Sequence, residues 1–294
     1  MSATAQRVLR DCFGDLARRW LDLEGPALAD EPDAVHQMRV ASRRLRGLLR
    51  LWGDALRIDA GPLADDLRWV AHALGDVRDL DVLEDRLLAD AGEEPGSLAA
   101  ELLRARLDLR RAQARETLAH DVASTRFAST RIGVQGLLDP PVRRSWRKVP
   151  ADTLVRIAAK RARAAVRAFD AAGLVDGVPP TTEQLHRLHH ARRVAKSARY
   201  AAEALAEQGV TRPRRSRGRK GPKAWGRAFT DVADALGLVQ DSVVAEGYLR
   251  DLSDEVGPPV SEVLEAMADR EAARRPEALA DSLAAVAAAR RLVG

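Results

Sequence analysis

Two segments of the chain carry a histidine followed by cationic residues at the same spacing. His36 and His189 are each followed at +3, +7 and +10 by arginine or lysine. On an α-helix, at about 100° per residue, these offsets fall within a stripe about 80° wide. The cations of the two stripes are Arg39, Arg43 and Arg46, and Arg192, Lys196 and Arg199. Aligned cations of this kind suit a ligand with several anionic groups in a row, and the arginine fork suits phosphate in particular.

Further cations accompany these stripes. Arg50 lies one turn beyond Arg46 and extends the first stripe, and Arg44 adjoins it. A third stripe, without histidine and about 60° wide, consists of Arg156, Lys160, Arg163 and Arg167. Like charges one turn apart destabilise a helix by a few tenths of a kcal/mol per pair. We therefore expect a polyanionic ligand, or carboxylates from neighbouring helices, to compensate them.

Acidic residues follow a repeated Ala-Leu-Gly sequence. Asp79 and Asp81 come after the first copy and Asp241 after the second. We expect these residues to begin helices, because a carboxylate stabilises a helix N-terminus. In that position they either cap the helix or orient arginines of the stripes.

The histidines have two interpretations. His36 and His189 are either packed core residues or neutral donors to phosphate, since a positive stripe lowers a histidine pKa. The cluster of His186, His189 and His190 lacks matching carboxylates and lies among cations, which repel a metal ion. The sequence therefore predicts neither a metal site nor a cofactor.

The fold prediction follows from periodicity. No segment alternates with period two, whereas helical periodicity is nearly continuous along the 294 residues. Thr181 with Gln184 forms a possible capping box. The predicted helices are 3–23, 33–53, 62–75, 80–91, 97–119, 124–138, 152–172, 182–208, 222–238, 242–255, 258–273 and 277–291. The sequence predicts an all-α protein.

The repeated motifs indicate an internal duplication. The two histidine motifs lie 153 residues apart and the two Ala-Leu-Gly motifs 162 apart. We predict one domain over 1–294, made of two antiparallel helical bundles, 1–140 and 141–294. A pseudo-twofold relation would bring the stripes to a basic central groove or pore.

Charge is unevenly distributed. The windows 36–50, 140–167 and 186–227 hold 27 of the 48 Lys and Arg but 3 of the 43 Asp and Glu. A basic feature set in an acidic body favours a focused anion site, to which the basic loop 212–223 could attract ligand. No signal peptide or membrane span is recognisable, so the expected location is cytoplasmic.

These motifs resemble those of the CHAD family, the conserved histidine α-helical domain. The segment VHQMRVASRRLRGLLR, ending at Arg50, matches its leading motif, and Leu74-Gly75 with Arg78-Asp79-Leu80-Asp81-Val82 matches its second. The matches in the later half are His189 to Glu203, Leu236-Gly237 and Gln240-Asp241. The resemblance implies two related helical bundles, binding of inorganic polyphosphate and association with polyphosphate granules. Ser197 and Ala198 depart from the usual Arg-Leu of the family, which predicts weaker binding by that half.

The predicted function is non-catalytic binding of inorganic polyphosphate, with other phosphate or sulfate anions as further ligands. The predicted binding residues are His36, Arg39, Arg43, Arg44, Arg46, Arg50, Arg156, Lys160, Arg163, His189, Arg192, Lys196 and Arg199. One alternative is nucleic acid, since Trp146 and Trp225 adjoin basic windows and could stack on bases. The other is a metal-dependent enzyme that cleaves or transfers phosphate, with Asp79 and Asp81 as metal ligands.

Overall fold

The computed structural model describes residues 4–29, 31, 33–91, 98–174, 178–211 and 220–293. In these ranges the chain is all-α, which confirms the predicted fold class. The helices are α1 (Ala5–Asp22), α2 (Glu24–Leu28), α3 (Ala34–Trp52), α4 (Ala60–Ala91), α5 (Leu98–Val122), α6 (Thr125–Gln135), α7 (Asp152–Asp170), α8 (Thr182–Glu207), α9 (Pro222–Asp254), α10 (Val260–Ala273) and α11 (Arg275–Val293).

Hydroxyl side chains mark where several helices begin. The Thr4 side chain accepts a hydrogen bond from the backbone of Arg7, and the Ser124 side chain accepts one from Phe127. At α8 the predicted capping box is confirmed, because Thr181 and Gln184 each accept from the other's backbone. Such caps satisfy N–H groups that have no partner within the helix.

Helices α4 and α9 correct the sequence-based boundaries. The predicted helices 62–75 and 80–91 form one helix, and 222–238 and 242–255 form another. Asp79, Asp81 and Asp241 therefore lie within helices instead of beginning them. A glycine costs a helix about 1 kcal/mol relative to alanine. That cost is too small to break helices whose apolar residues on both sides of the glycine are buried.

The helices pack in pairs around the cationic stripes. Helix α3 lies along α4, helix α8 lies along α9 and also contacts α7, and α3 touches α8 between the pairs. Alanine permits this close packing on α8, where Ala191, Ala195 and Ala198 are buried. Trp20 of α1 donates a hydrogen bond to Ser42 of α3 at 2.8 Å, which fixes α3 from its other side.

Two apolar cores join the early and late parts of the chain. The larger core draws on α1, α3 and α4 together with α7, α8, α9 and α11. The smaller core contains Leu83 and Leu87 of α4, Leu103 of α5, Leu249 of α9 and Met267 of α10. Residues on both sides of position 140 thus contribute to each core. Among the described helices, none combines the length and apolar character needed to cross a bilayer.

Candidate anion-binding pocket

Helices α3, α4, α8 and α9 enclose a cavity of about 580 Å³. Helices α3 and α8 contribute the two histidine stripes, and α4 and α9 contribute the residues that face them. Seven of the thirteen predicted binding residues line this cavity, which we call the central pocket. They are His36, Arg39, Arg43, Arg46, His189, Arg192 and Lys196.

Arg39 is held by α4 in a fixed orientation. Its guanidinium donates two hydrogen bonds to the carboxylate of Asp79, at 2.7 and 3.2 Å. The same group lies over Gly75, where an added Cβ would come within 3.2 Å of Arg39 Nε and Nη2. A bidentate arginine–carboxylate pair fixes direction as well as position. Asp79 thus orients the arginine, one of the two roles expected for it.

Arg192 makes the corresponding approach to α9. A Cβ on Gly237 would lie 2.8 Å from Arg192 Nη2. Arg192 Nε donates to the carbonyl oxygen of Ala233 at 3.3 Å. The carboxylate of Asp241 favours the charged guanidinium, although burial and neighbouring arginines lower the pKa of Arg192. In both helix pairs, then, an arginine of a histidine stripe packs on the glycine of an Ala-Leu-Gly motif.

The two histidines each head a stripe, and both line the central pocket. His189 Nδ1 is 3.1 Å from Gln240 Oε1 on α9. His36 Nδ1 is buried and finds no hydrogen-bond partner in the described ranges. Burial lowers the pKa of both residues, and nearby arginines add to the effect. Both side chains are consequently neutral at pH 7.

Lys196 lies where positive charge is densest. Burial, followed by repulsion from Arg43, Arg192, Arg199 and Arg39, lowers the pKa of its amine from 10.5 to about 6. No carboxylate of the described residues forms an ion pair with it. Removal from water and the nearby guanidinium groups both destabilise the charged form of this amine, and its pKa is lowered for that reason.

Arg46 is also left without an ion-pair partner among the residues described. Its Nε–H is buried and donates no hydrogen bond to a described residue. Burial lowers the pKa of this guanidinium, and repulsion from Arg50, Arg68 and Arg193 lowers it further. Arg46 and Lys196 therefore mark the part of the central pocket where an anionic ligand would relieve the most repulsion.

Three carboxylates on α4 and α9 offset part of the positive charge of the central pocket. Asp79 is bound to Arg39, Asp76 lies 3.0 Å from His72, and Asp241 lies near Arg192. Burial raises the pKa of Asp241. Over the described ranges, no group of three histidines, cysteines or carboxylates is arranged to hold a metal ion.

Three predicted residues of the first two stripes lie outside the pocket lining. Arg44 is buried between α3 and α8, where it donates to both carboxylate oxygens of Glu207 at 2.7 and 2.8 Å. Arg50 pairs with Asp65 at 2.7 Å. Arg199 lies over the ring of Tyr200 and 3.5 Å from Glu203. Of these, Arg199 still repels the charge of Lys196.

The third stripe does not join the central pocket. Arg156, Lys160 and Arg163 lie on an exposed face of α7 and contribute nothing to the lining. Arg156 donates a hydrogen bond to Thr153 on its own helix. The greater part of the basic loop, 212–219, lies outside the described residues.

Sequence reasoning missed the cations that α4 contributes. Arg68, Arg78 and Arg86 line the central pocket beside His72. Positions 68, 72, 75, 79, 82 and 86 follow the i, i+4, i+7 spacing of one helix face. That face is visible only when 60–91 is treated as one helix, so the predicted break at Gly75 concealed it.

The fold and the pocket define an all-α protein in which repeated histidine–arginine helices converge on one cationic cavity. The family model for the CHAD domain matches residues 9–250, so the chain belongs to the CHAD domain family. Two curated relatives from Mycobacterium tuberculosis strains are the uncharacterized proteins MT2285 and Rv2226. Each is 29% identical over 230 residues, which cover 75% of this chain and 40% of the relative. The chain thus spans about two fifths of the length of these relatives.

Solved structures share the fold. PptA from Streptomyces chartreusis superposes with a TM-score of 0.78 at 20% identity, covering 96% of this chain and 99% of that one. The CHAD domain from the plant Ricinus communis superposes with a TM-score of 0.70 at 21% identity, covering 99% and 93%. At these identities the likeness concerns the fold alone.

Proposed function

We propose that the central pocket binds inorganic polyphosphate without catalysing a reaction on it. The observation that carries this proposal is the excess of cations around one cavity. Eight arginine and lysine side chains line it against three aspartates. Four of the eight form no ion pair with a described carboxylate: Arg43, Arg46, Arg192 and Lys196. Charged groups buried with too few partners are costly, and a polyanion supplies the missing partners.

The length of the stripes favours a linear polymer over a single phosphate. His36 to Arg46 spans about 15 Å along α3 at roughly 1.5 Å per residue. Cations spaced along this length can contact successive phosphates of one chain. Each charge-assisted hydrogen bond contributes about 1.5–3 kcal/mol, so several together give a high affinity. Single phosphate or sulfate anions would occupy the same groups more weakly.

The pocket lining favours polyphosphate over single-stranded nucleic acid. Readers of single strands stack bases on aromatic side chains, and in the described structure the lining contains no Trp, Tyr or Phe. Trp225 is buried in the apolar core, and Trp146 packs against that core. Neither tryptophan is placed to stack a base in the central pocket. Binding of this kind would associate the protein with cytoplasmic polyphosphate granules.

Binding of labelled polyphosphate, followed by fluorescence anisotropy, tests the proposal. Arg43→Glu combined with Lys196→Glu reverses two charges in the central pocket, and we expect at least about a hundredfold loss of affinity. Arg7→Glu combined with Arg18→Glu, on exposed α1 surface outside the lining, makes the same formal change of net charge and should bind nearly normally. Equal binding by the two variants would refute the pocket assignment.

Competition and turnover measurements separate the rival functions. At physiological salt, polyphosphate should displace the label better than single-stranded or duplex DNA of equal total charge. A preference for DNA would favour nucleic-acid binding instead. Release of phosphate from polyphosphate on addition of Mg²⁺, absent in the Arg43→Glu/Lys196→Glu variant, would show an enzyme and overturn the non-catalytic proposal.

A further inference from the structure

Lys196 is both the one lysine that lines the central pocket in the described structure and an amine that is largely uncharged at neutral pH. The other seven described cations of the lining are arginines. The charged groups around it come from three helices. They are Arg39 and Arg43 of α3, Arg192 and Arg199 of α8, and Asp241 of α9. Burial, followed by the repulsion of four cations against one carboxylate, lowers the pKa of the amine to about 6 and keeps it largely uncharged at neutral pH.

An uncharged amine is a nucleophile, whereas an ammonium ion is not. An ordinary lysine in water is almost entirely protonated at pH 7.5, and a desolvated lysine among cations is the form that enzymes use for attack on carbonyl carbon. The remaining lysines, Lys148, Lys160, Lys220 and Lys223, are exposed. The chain therefore offers one amine in an anion-binding cavity and four in solvent.

We propose that Lys196 is a site of acylation by acyl phosphates, whose phosphate group is held by Arg43 and Arg192. The inference rests on the anion-binding pocket of the proposed function. An acyl phosphate contains both a phosphate, which the guanidinium groups can bind, and a carbonyl carbon, which the amine can attack.

The step balances without an oxidant or a metal. The lone pair of Lys196 Nζ forms a bond to the acyl carbon, and the bond from that carbon to the phosphate oxygen breaks. Inorganic phosphate leaves with the electron pair of the broken bond, and the nitrogen loses one proton to solvent. The product is an amide, which carries no charge and takes no part in titration near neutral pH.

Acylation would oppose binding of polyphosphate. It removes an amine that becomes charged when a polyanion binds, and it places an acyl group in the cavity that the polymer would fill. Conversely, a bound polymer would cover Lys196 and favour its charged form. The modification and the polymer are thus mutually exclusive at this site.

Mass spectrometry of the full chain treated with acetyl phosphate at pH 7.5 tests the inference. Because a bound phosphate partly restores the charge of the amine, we expect a rate advantage for Lys196 over Lys160 of about tenfold, less than the ratio of neutral fractions. The advantage should be smaller with an uncharged N-hydroxysuccinimide ester. Added polyphosphate should abolish it, and Lys196→Arg should lose the fast-reacting site.

Equal or slower acylation of Lys196 relative to Lys160 would overturn the inference. An equal advantage with the uncharged ester would also overturn it, since phosphate recognition would then contribute nothing. Binding of polyphosphate by the unmodified chain is measured separately. Selective acylation without polymer binding would refute only the proposal that the pocket binds polyphosphate. Polymer binding without selective acylation would refute only the proposal that Lys196 is acylated.

Discussion

Arg192 lies so close to Gly237 that a methyl group on the glycine would come within 2.8 Å of its guanidinium Nη2. Arg39 and Gly75 stand in the same relationship on the other helix pair, at 3.2 Å. The glycines occupy helical positions where alanine would be favoured by about 1 kcal/mol. Their presence is explained by the room that they leave for an arginine.

Gly237→Ala should therefore impair binding without impairing the fold. The added methyl meets the end of a flexible side chain, which moves away and carries Arg192 out of its orientation. We expect affinity for polyphosphate to fall about tenfold, the equivalent of one weakened charge-assisted hydrogen bond. The free energy of unfolding should change by no more than about 1 kcal/mol. Binding titrations and urea unfolding measure the two quantities.

Gly247→Ala is the matched control on the same helix. Nothing lies within 4 Å of a Cβ at this position, so the variant changes helix propensity alone. It should bind polyphosphate normally. Normal binding by Gly237→Ala as well would show that the close approach of Arg192 has no functional importance.

Arg43 and Arg44 are adjacent in sequence but should respond oppositely to substitution. Arg43 lines the central pocket, and Arg44 is 10% exposed and bound to Glu207. Arg43→Gln should weaken binding at least tenfold and leave stability unchanged or slightly increased, because it removes repulsion from Arg192. Arg44→Gln should lower the free energy of unfolding by about 1–2 kcal/mol and retain affinity. Chemical unfolding and anisotropy on both variants give the comparison.

The reverse pattern would contradict the structural assignment of the two arginines. If Arg44→Gln lost affinity while remaining folded, the residue would belong to the binding site as the sequence predicts. Arg44→Lys adds a useful control, since it keeps the charge but removes the bidentate geometry. It should recover part of the lost stability.

The exposed face of α7 provides a test of the third predicted stripe. Replacing Arg156, Lys160 and Arg163 together with glutamine removes three charges outside the central pocket. Affinity for a short polyphosphate should stay within about twofold, because only nonspecific attraction is lost, and salt screens that attraction. A loss of tenfold or more at physiological salt would place α7 in the binding site.

Helical periodicity predicts much of the fold and the cationic wall of the pocket. His36, Arg39 and Arg43 share a helix face by spacing alone, and the structure brings that face into one cavity with His189, Arg192 and Lys196. The same arithmetic sets Arg44 apart, since it lies about 80° from His36 on the other side of the stripe. Arg44 is in the predicted site because it adjoins the stripe in sequence, and its contact with Glu207, 163 residues away, is visible only in the structure.

What the sequence missed depends on contacts between helices. The predicted breaks at Gly75 and Gly237 followed a general preference of glycine for helix ends. Tertiary packing overrides that preference, because buried Leu74 and Leu236 anchor both helices at these points. Arg50 shares the stripe of Arg46 but lies at its end, where Asp65 of α4 neutralises it. Spacing along one helix contains no information about such partners.

The stability of the ligand-free protein should rise with pH because of Lys196. Its pKa is about 6 when folded and near the ordinary 10.5 when unfolded, so between these values the unfolded chain binds more protons. Stability then increases with pH across this window, and the full penalty is present below pH 6. Thermal unfolding from pH 6 to 9 should show this slope. Lys196→Met should remove most of it, and an unchanged slope would mean that another group is responsible.

Affinity for polyphosphate should change with pH in the opposite direction. The bound anion favours the charged amine, so binding at pH 8 takes up a proton that binding at pH 6 does not need. Affinity should therefore rise as pH falls from 8 to 6, by at most about tenfold per pH unit for one linked proton. Burial lowers the pKa values of His36 and His189, and protonation of these residues at acidic pH adds to the rise. Calorimetry in buffers of different ionisation enthalpy detects the proton directly. Lys196→Arg stays charged throughout, so it should bind polyphosphate without proton uptake between pH 6 and 8, and uptake equal to that of the unaltered chain would remove Lys196 from the binding step.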